Sequence, residues 1–320
     1  MRRKFLLFLI CLVALPALAE VSVLSVKEEN KNTKKEDFYH TFEYYVSAGN
    51  KHSKCQATRI TSQWFITAAH CVELCAKECT LQVDLLEQPV SALVEAKHSA
   101  KKPIIFVHPA YNPKKKVTAD LALFRLDLNR ASKTYYMRTA DQNAPNIEIS
   151  EKQFAQWLDK HRRAKSQYLH ALSPQMPPLV VFDDRNNYEL DRKISVISIF
   201  GGRRNIKANP NPVYCVKKEG YCYTKNFGVR RGMSGSGVIT NTGELLGIVS
   251  AYVGLDWFKG EEKKAHQEFF LFPIFNDNIL AFIQEVMGND FAKISQQDAY
   301  PYLVKKLRAD FVPVQVFPKK

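Results

Sequence analysis

The pattern that most constrains the fold is a succession of short apolar runs, each cut off by turn residues. Trp64-Phe65-Ile66, Pro103 to Val107, Leu121 to Leu126, Ile194 to Phe200 and Leu245 to Val253 are examples. Many short strands without long helices between them predict an all-β barrel or sandwich. Hydrophobic residues make up 46% of the chain, enough to fill a core. Two segments depart from the strand pattern. Ser150-Glu151-Lys152-Gln153 reads as a capping box, and Phe154, Trp157, Leu158 and His161 follow at helical spacing. A helix is expected over 151–170, joined to the proline-rich residues Pro174, Pro177 and Pro178. Asp277 to Val286 predicts a second helix, with Ile279, Leu280, Phe282, Ile283 and Val286 on its apolar face.

The first nineteen residues read as a targeting segment. Met1-Arg2-Arg3-Lys4 is basic, Phe5 to Leu15 is apolar, and Ala17-Leu18-Ala19 supplies small residues for cleavage. No later stretch reaches the length of a membrane span. An exported chain without a membrane anchor is expected, secreted or periplasmic. Residues 20–36 are polar and rich in Lys and Glu, which predicts a leader or flexible arm extending to about residue 40.

Removal of the segment that holds Cys11 leaves Cys55, Cys71, Cys75, Cys79, Cys215 and Cys222. An even set in an exported chain reads as disulfides. Zinc is the rival for Cys75 and Cys79, but Cys215 and Cys222 do not obviously complete a ligand set. The expectation is no metal and no cofactor. The formal charge is +14. The cations are scattered, as in Lys114-Lys115-Lys116 and Lys217-Lys218, and no nucleic-acid-binding motif accompanies them. They read as solvated surface, with no nucleic-acid partner.

Three segments carry chemistry: Ile66-Thr67-Ala68-Ala69-His70-Cys71, then Asp120-Leu121-Ala122-Leu123, then Gly232-Met233-Ser234-Gly235-Ser236-Gly237. A serine hydroxyl needs a base beside it to act as a nucleophile at neutral pH. A histidine can take that proton and later return it, and a carboxylate can hold the imidazole in the right tautomer. The three segments, in this order, resemble the motifs of the chymotrypsin/trypsin-like serine proteases. His108-Pro109-Ala110-Tyr111-Asn112, ahead of Asp120, accompanies the resemblance.

The resemblance covers about 41–288, with an insertion at about 136–190, and leaves 289–320 as a C-terminal extension. It implies an all-β, two-barrel trypsin-like fold with an inserted helix and a C-terminal helix. Ile199-Phe200-Gly201-Gly202 resembles the start of the second barrel. His70, Asp120 and Ser234 would be the catalytic triad of a secreted endopeptidase acting on protein or peptide substrates. Gly232 and Ser234 would supply the oxyanion-hole amides. Cys55 and Cys71 would form a disulfide beside the catalytic histidine. Cys75 with Cys79, and Cys215 with Cys222, are close enough in sequence to suggest local bridges. Ser250, in Gly247-Ile248-Val249-Ser250, would line the specificity pocket and hydrogen-bond the triad aspartate.

Departures from the family pattern are informative. Met233 stands where zymogens of the family carry an Asp, and no Ile-Val-Gly-Gly is present to pair with one. Cleavage of the leader is therefore not expected to shape the oxyanion hole. Ser236 and Gly237 replace a Gly-Pro pair. Gly228, six before the nucleophile, replaces the pocket-floor Asp of members that cleave after Lys or Arg, so an apolar or small P1 residue is expected. Arg230 and Arg231 could sit at the cleft rim and favour acidic groups. Tyr302, Leu303, Leu307 and Phe311 in the tail could dock on the barrels. A catalytically inactive protease-like binding protein is the alternative; an α/β-hydrolase esterase would need the triad in another order.

Overall fold

A computed structural model describes residues 22–24, 40–86, 89–113, 119–138, 146–173, 194–200, 203–211, 213–216, 221–240, 244–254, 268–273 and 275–294. The targeting segment, Pro174, Pro177 and Pro178, Lys114 to Lys116, Lys217 and Lys218, Gly201 and Gly202, and the tail residues Tyr302, Leu303, Leu307 and Phe311 lie outside them. Among the described residues no helix is long and apolar enough to cross a membrane.

The first half is built on β2 (Thr41–Ala48), β3 (Lys51–Arg59), β4 (Trp64–Thr67), β5 (Cys79–Asp84), β6 (Val90–His98), β7 (Ile105–Val107) and β8 (Ala122–Arg125). Their order in the sheet is β6-β5-β2-β3-β4-β8-β7. β6 bends into β7 at a corner where His98 Nδ1 accepts the N–H groups of Ile104 and Ile105, both at 3.2 Å. That continuity closes the strands into a barrel. Alternation decides which side chains fill it. In β2, Phe42, Tyr44 and Val46 are fully buried while Glu43, Tyr45 and Ser47 face outward. Phe65 joins them, its ring stacked 4.8 Å from Phe124 and edge-on to Phe42 at 5.7 Å.

Beyond the barrel, β9 (Ser132–Met137) pairs with β6, and β10 (Ile147–Ile149) pairs with β9. Two helices follow, α1 (Glu151–Lys160) and α2 (Arg162–Leu172), where one helix over 151–170 was expected. The start is as read: Ser150 Oγ accepts from Gln153 N, and the Gln153 side chain returns to the Ser150 backbone. The break falls at His161. Its Nδ1–H donates to Trp157 O at 2.7 Å, taking the carbonyl that the His161 amide would use in a continuous helix. The His161 amide instead reaches Leu158 O at 3.0 Å. Tyr135 of β9 stacks on Phe154 at 4.2 Å. Arg59, only 1% exposed, donates to Thr61 O, Ser62 O and Ala171 O, tying α2 to the barrel. Desolvation lowers its pKa to about 10, so the guanidinium stays charged near neutrality.

The second half comprises β11 (Ile194–Phe200), β12 (Arg203–Ala208), β13 (Val213–Val216), β14 (Tyr221–Lys225), β15 (Gly237–Thr240), β16 (Leu245–Ile248), β17 (Ala251–Gly254) and β18 (Glu268–Pro273). They form two sheets, β12-β11-β15-β16 and β13-β14-β18-β17. Val249 and Ser250 link β16 to β17 directly, and a short bend at Asn209 leads from β12 toward β13. Asn209 is buried there and donates to Asn211 O and Thr224 Oγ1. The two sheets thereby close into a second barrel around Ile194, Val196, Val229, Met233, Val238 and Val249. Within the segment read as a flexible leader, residues Ser22–Leu24 form β1, antiparallel to β13.

α3 (Asp277–Met287) carries the chain back to the first barrel. Asn276 caps it, accepting from Ile279 N at 3.1 Å. Ile279, Leu280, Phe282 and Ile283 bury into the first barrel's core, with Phe282 edge-on to His108 at 5.0 Å. The first residues of the extension continue this packing. Phe291 and Ile294 are buried, and Asp290 accepts from Trp64 Nε1 at 3.0 Å.

Candidate active site

His70 lies in a 3₁₀ turn, Ala69–Cys75, that follows β4. Both ends of the turn are bonded covalently to strands: Cys71 to Cys55 of β3, and Cys75 to Cys79 of β5. Ala69, Cys71, Val72 and Cys75 are buried, so the turn is packed as well as crosslinked. The His70 side chain remains 36% exposed, while that of Asp120 is 1% exposed.

Asp120 is surrounded by donors. Its Oδ1 accepts the His70 backbone N–H at 2.9 Å. Its Oδ2 accepts His70 Nδ1–H at 2.7 Å and the Ser250 hydroxyl at 2.5 Å. A carboxylate can only accept, so His70 carries a proton on Nδ1. Nε2 lies 3.6 Å from Cys71 Sγ. The residue before Asp120, Ala119, has φ +55°, a left-handed conformation that costs a non-glycine residue about 1–2 kcal/mol.

Ser234 sits in a loop between Val229 and β15. Main-chain hydrogen bonds shape it: Met233 N to Arg230 O at 3.1 Å, Ser236 N to Met233 O at 3.0 Å, and Gly235 N to Val249 O at 2.7 Å. Gly232 (φ +91°) and Gly235 (φ +88°) take conformations that side chains resist. At Gly235 space is limiting too, since a Cβ would lie 1.8 Å from Gln56 O. Among the described residues neither the Gly232 N–H nor the Ser234 N–H donates a hydrogen bond, which leaves both amides available to an acceptor.

One cleft collects His70, Asp120, Ser234 and Ser250. Ser250 links the two halves: its hydroxyl donates to Asp120, and its carbonyl accepts Ser234 Oγ–H at 3.4 Å. Val229, Arg230, Arg231, Val249 and Ala251 line the same cleft. Gly228 is not among the lining residues. It sits in a bend where Asn226 Oδ1 accepts its N–H, and the Lys207 ammonium lies 2.2 Å from where its Cβ would stand. Met233 is 6% exposed in the second barrel's apolar cluster, and its Sδ accepts the Arg230 N–H at 3.2 Å.

Several contributors had no role in the sequence reading. Tyr111 OH donates to Glu73, and both side chains line the cleft. Burial and this carboxylate partner raise the Tyr111 pKa, which keeps its phenol protonated. Tyr111 belongs to the segment ahead of Asp120, but neither it nor Glu73 has a chemical signature in sequence. Gln56, which reaches the Ser234 loop from β3, was equally silent.

Ligating atoms of Cys55, His70 and Cys71 lie within 4.8 Å of one another. The two sulfurs are bonded to each other, so neither is a thiolate able to hold a metal. Cys222 is disulfide-bonded, and the β13–β14 register sets residue 215 directly opposite it.

Residues 31–168 match the family model described as Trypsin. That span contains His70 and Asp120 and ends before Ser234. No curated protein sequence matches the chain. Among solved structures, a scabies mite inactivated protease paralogue, S-I1, is similar at 13% identity and a TM-score of 0.43. The similarity covers 81% of this chain and 99% of that one. Over residues 31–168 this chain is thus similar to the Trypsin family, and its two barrels and its motifs are those expected from that similarity.

Proposed function

We propose that this protein is an exported serine endopeptidase. The observation that carries the reading is the hydrogen-bonded set Ser250–Asp120–His70, which holds the imidazole by its Nδ1–H in the cleft that Ser234 lines. Ser234 Oγ would attack a peptide carbonyl while His70 Nε2 takes its proton. Asp120 would stabilise the imidazolium. The oxygen that gains negative charge would be met by the Gly232 and Ser234 amides, each such donor being worth about 10²–10³ in rate. His70 would then protonate the departing amine, and water would release the acyl group by the reverse sequence.

Val229, Val249 and Ala251, which line the cleft with Ser234, support an apolar or small P1 side chain, and Arg230 and Arg231 line the same cleft. Met233 supports a site that forms without an N-terminal ion pair, because a buried thioether offers an ammonium no carboxylate. Export is supported by the basic and apolar start of the chain and by the disulfides.

The test is covalent labelling with a fluorophosphonate, followed by peptide-library cleavage. Wild type should be labelled at Ser234 and should cleave. Ser234→Ala should stay folded, escape the label and lose about 10⁶ in kcat. Unlabelled wild type that binds peptides would make the protein an inactive binding homologue.

A further inference from the structure

We propose that the Gln56 side chain is a positioning residue that ties the seam between the barrels to the nucleophile loop. Its catalytic consequence rests on the peptidase reading above; its structural half does not.

Gln56 follows Cys55 in β3 and is 2% exposed. Its main chain already grips the nucleophile, donating from N to Ser234 O at 2.9 Å. Its carbonyl accepts Thr67 Oγ1–H at 2.8 Å. With its one hydrogen committed, the Thr67 hydroxyl accepts from Tyr44 OH at 2.9 Å, so this anchor reaches the first barrel's core.

The side-chain amide then crosses to the second barrel. Nε2 donates to Ile199 O at 2.6 Å, and Oε1 accepts Ile199 N–H at 2.9 Å. The amide thus pairs both backbone groups of a β11 residue, as a neighbouring strand would. Oε1 also accepts the hydroxyl of Ser236, a fully buried residue two past the nucleophile, at 2.7 Å. Both Oε1 lone pairs are used. Ser236, a departure from the family's usual residue, has a purpose as the partner of Gln56. Cys55 and Gln56 therefore place neighbouring anchors on the two reacting groups: the disulfide holds the His70 turn, and the amide holds the Ser234 loop.

Substitution chemistry separates this role from simple packing. Gln56→Leu keeps the volume but leaves Ile199 N, Ile199 O and the Ser236 hydroxyl buried without these partners. Gln56→Glu can restore all three bonds only while its carboxyl is protonated, because a carboxylate cannot donate to Ile199 O.

The experiment compares wild type, Gln56→Leu, Gln56→Glu and Ser236→Ala in the mature chain. It reads fluorophosphonate labelling, kcat and KM against pH, and backbone hydrogen exchange. Gln56→Leu should lower labelling and kcat by about tenfold or more, with KM within about twofold, because a small misplacement of the nucleophile costs mainly turnover. Exchange should accelerate in 194–200 and 234–240. Gln56→Glu should gain a fall in kcat with rising pH that wild type and Ser236→Ala lack. Wild-type labelling rates in Gln56→Leu with unchanged exchange in both segments, or a wild-type pH profile in Gln56→Glu, would overturn the proposal. If wild type itself resists the label, the peptidase reading falls, and exchange in Gln56→Leu still decides whether the amide ties the seam.

Discussion

His70 and Ser234 face the same cleft, but different physics holds each. The His70 turn is buried between two disulfides and the first barrel's aromatic core. The Ser234 loop has no crosslink of its own among the described disulfides, and its shape comes from main-chain hydrogen bonds and two glycines at positive φ. A turn held by packing tolerates many backbones and few volumes. A loop held by backbone geometry tolerates many neighbours and few residue types. His70 should therefore respond to changes in the core, and Ser234 to single added methyl groups.

The sharpest way to break this comparison is Gly235→Ala. The new methyl would meet Gln56 O at 1.8 Å and Thr67 Oγ1 at 2.4 Å, at a φ of +88°. Main chain cannot swing aside as a flexible side chain can. A loss of about 4 kcal/mol or more is expected in chemical denaturation, together with activity. A variant within about 1 kcal/mol of wild type would show that the loop is softer than its hydrogen bonds imply.

The packed side has its own weak point, which is acid. His108 donates its main-chain N–H to Leu121 O, next to Asp120, and its ring lies against Phe282 of α3. Nδ1 accepts from Ala110 N, while Nε2 is buried and has no hydrogen-bond partner among the described residues. Burial lowers the pKa from 6.5 to about 4, and the nearby Asn278 backbone offsets only part of that. The folded state thus binds this proton less readily than the unfolded chain. Its contribution is complete above pH 6.5 and is lost as pH falls toward 4, by about 3 kcal/mol in all. Urea melts across this window should show the decline, and His108→Gln should flatten it. An identical slope in the variant would assign the acid sensitivity elsewhere.

The smallest expected stability change is at Gly232. A Cβ there meets nothing within 4 Å, so Gly232→Ala is opposed only by the φ of +91°. About 1–2 kcal/mol of stability should go, as measured by thermal melting. Labelling of Ser234 should suffer more than that figure implies, since the strain is relieved most easily by turning the amide. If Gly232→Ala and Gly235→Ala cost the same stability, contact with Gln56 would not be what distinguishes the two sites.

Local patterns made part of this molecule legible. The short apolar runs Trp64-Phe65-Ile66 and Leu121 to Leu126 predicted strands, and they form β4 and β8, because short apolar runs between turn residues fit strand lengths. The capping residues at Ser150 and Gln153 marked a real helix start, since a cap involves groups three residues apart. The motifs around His70, Asp120 and Ser234 could be read because each is a short run whose chemistry lies within it.

Only tertiary structure decided the rest. The break at His161 depends on which acceptor a ring nitrogen finds, and the docking of α2 depends on Arg59, 112 residues away from Ala171. Gly228 lies beside Lys207 in a bend held by Asn226, neighbours that its spacing from Ser234 did not reveal. Gln56 shows the limit most clearly. It joins Ile199 and Ser236, at separations of 143 and 180 residues, and a glutamine in a strand carries no mark of its partners. Its role exists only where two barrels bring three distant backbones within hydrogen-bond reach, because a hydrogen bond acts over about 3 Å of space and is blind to distance along the chain.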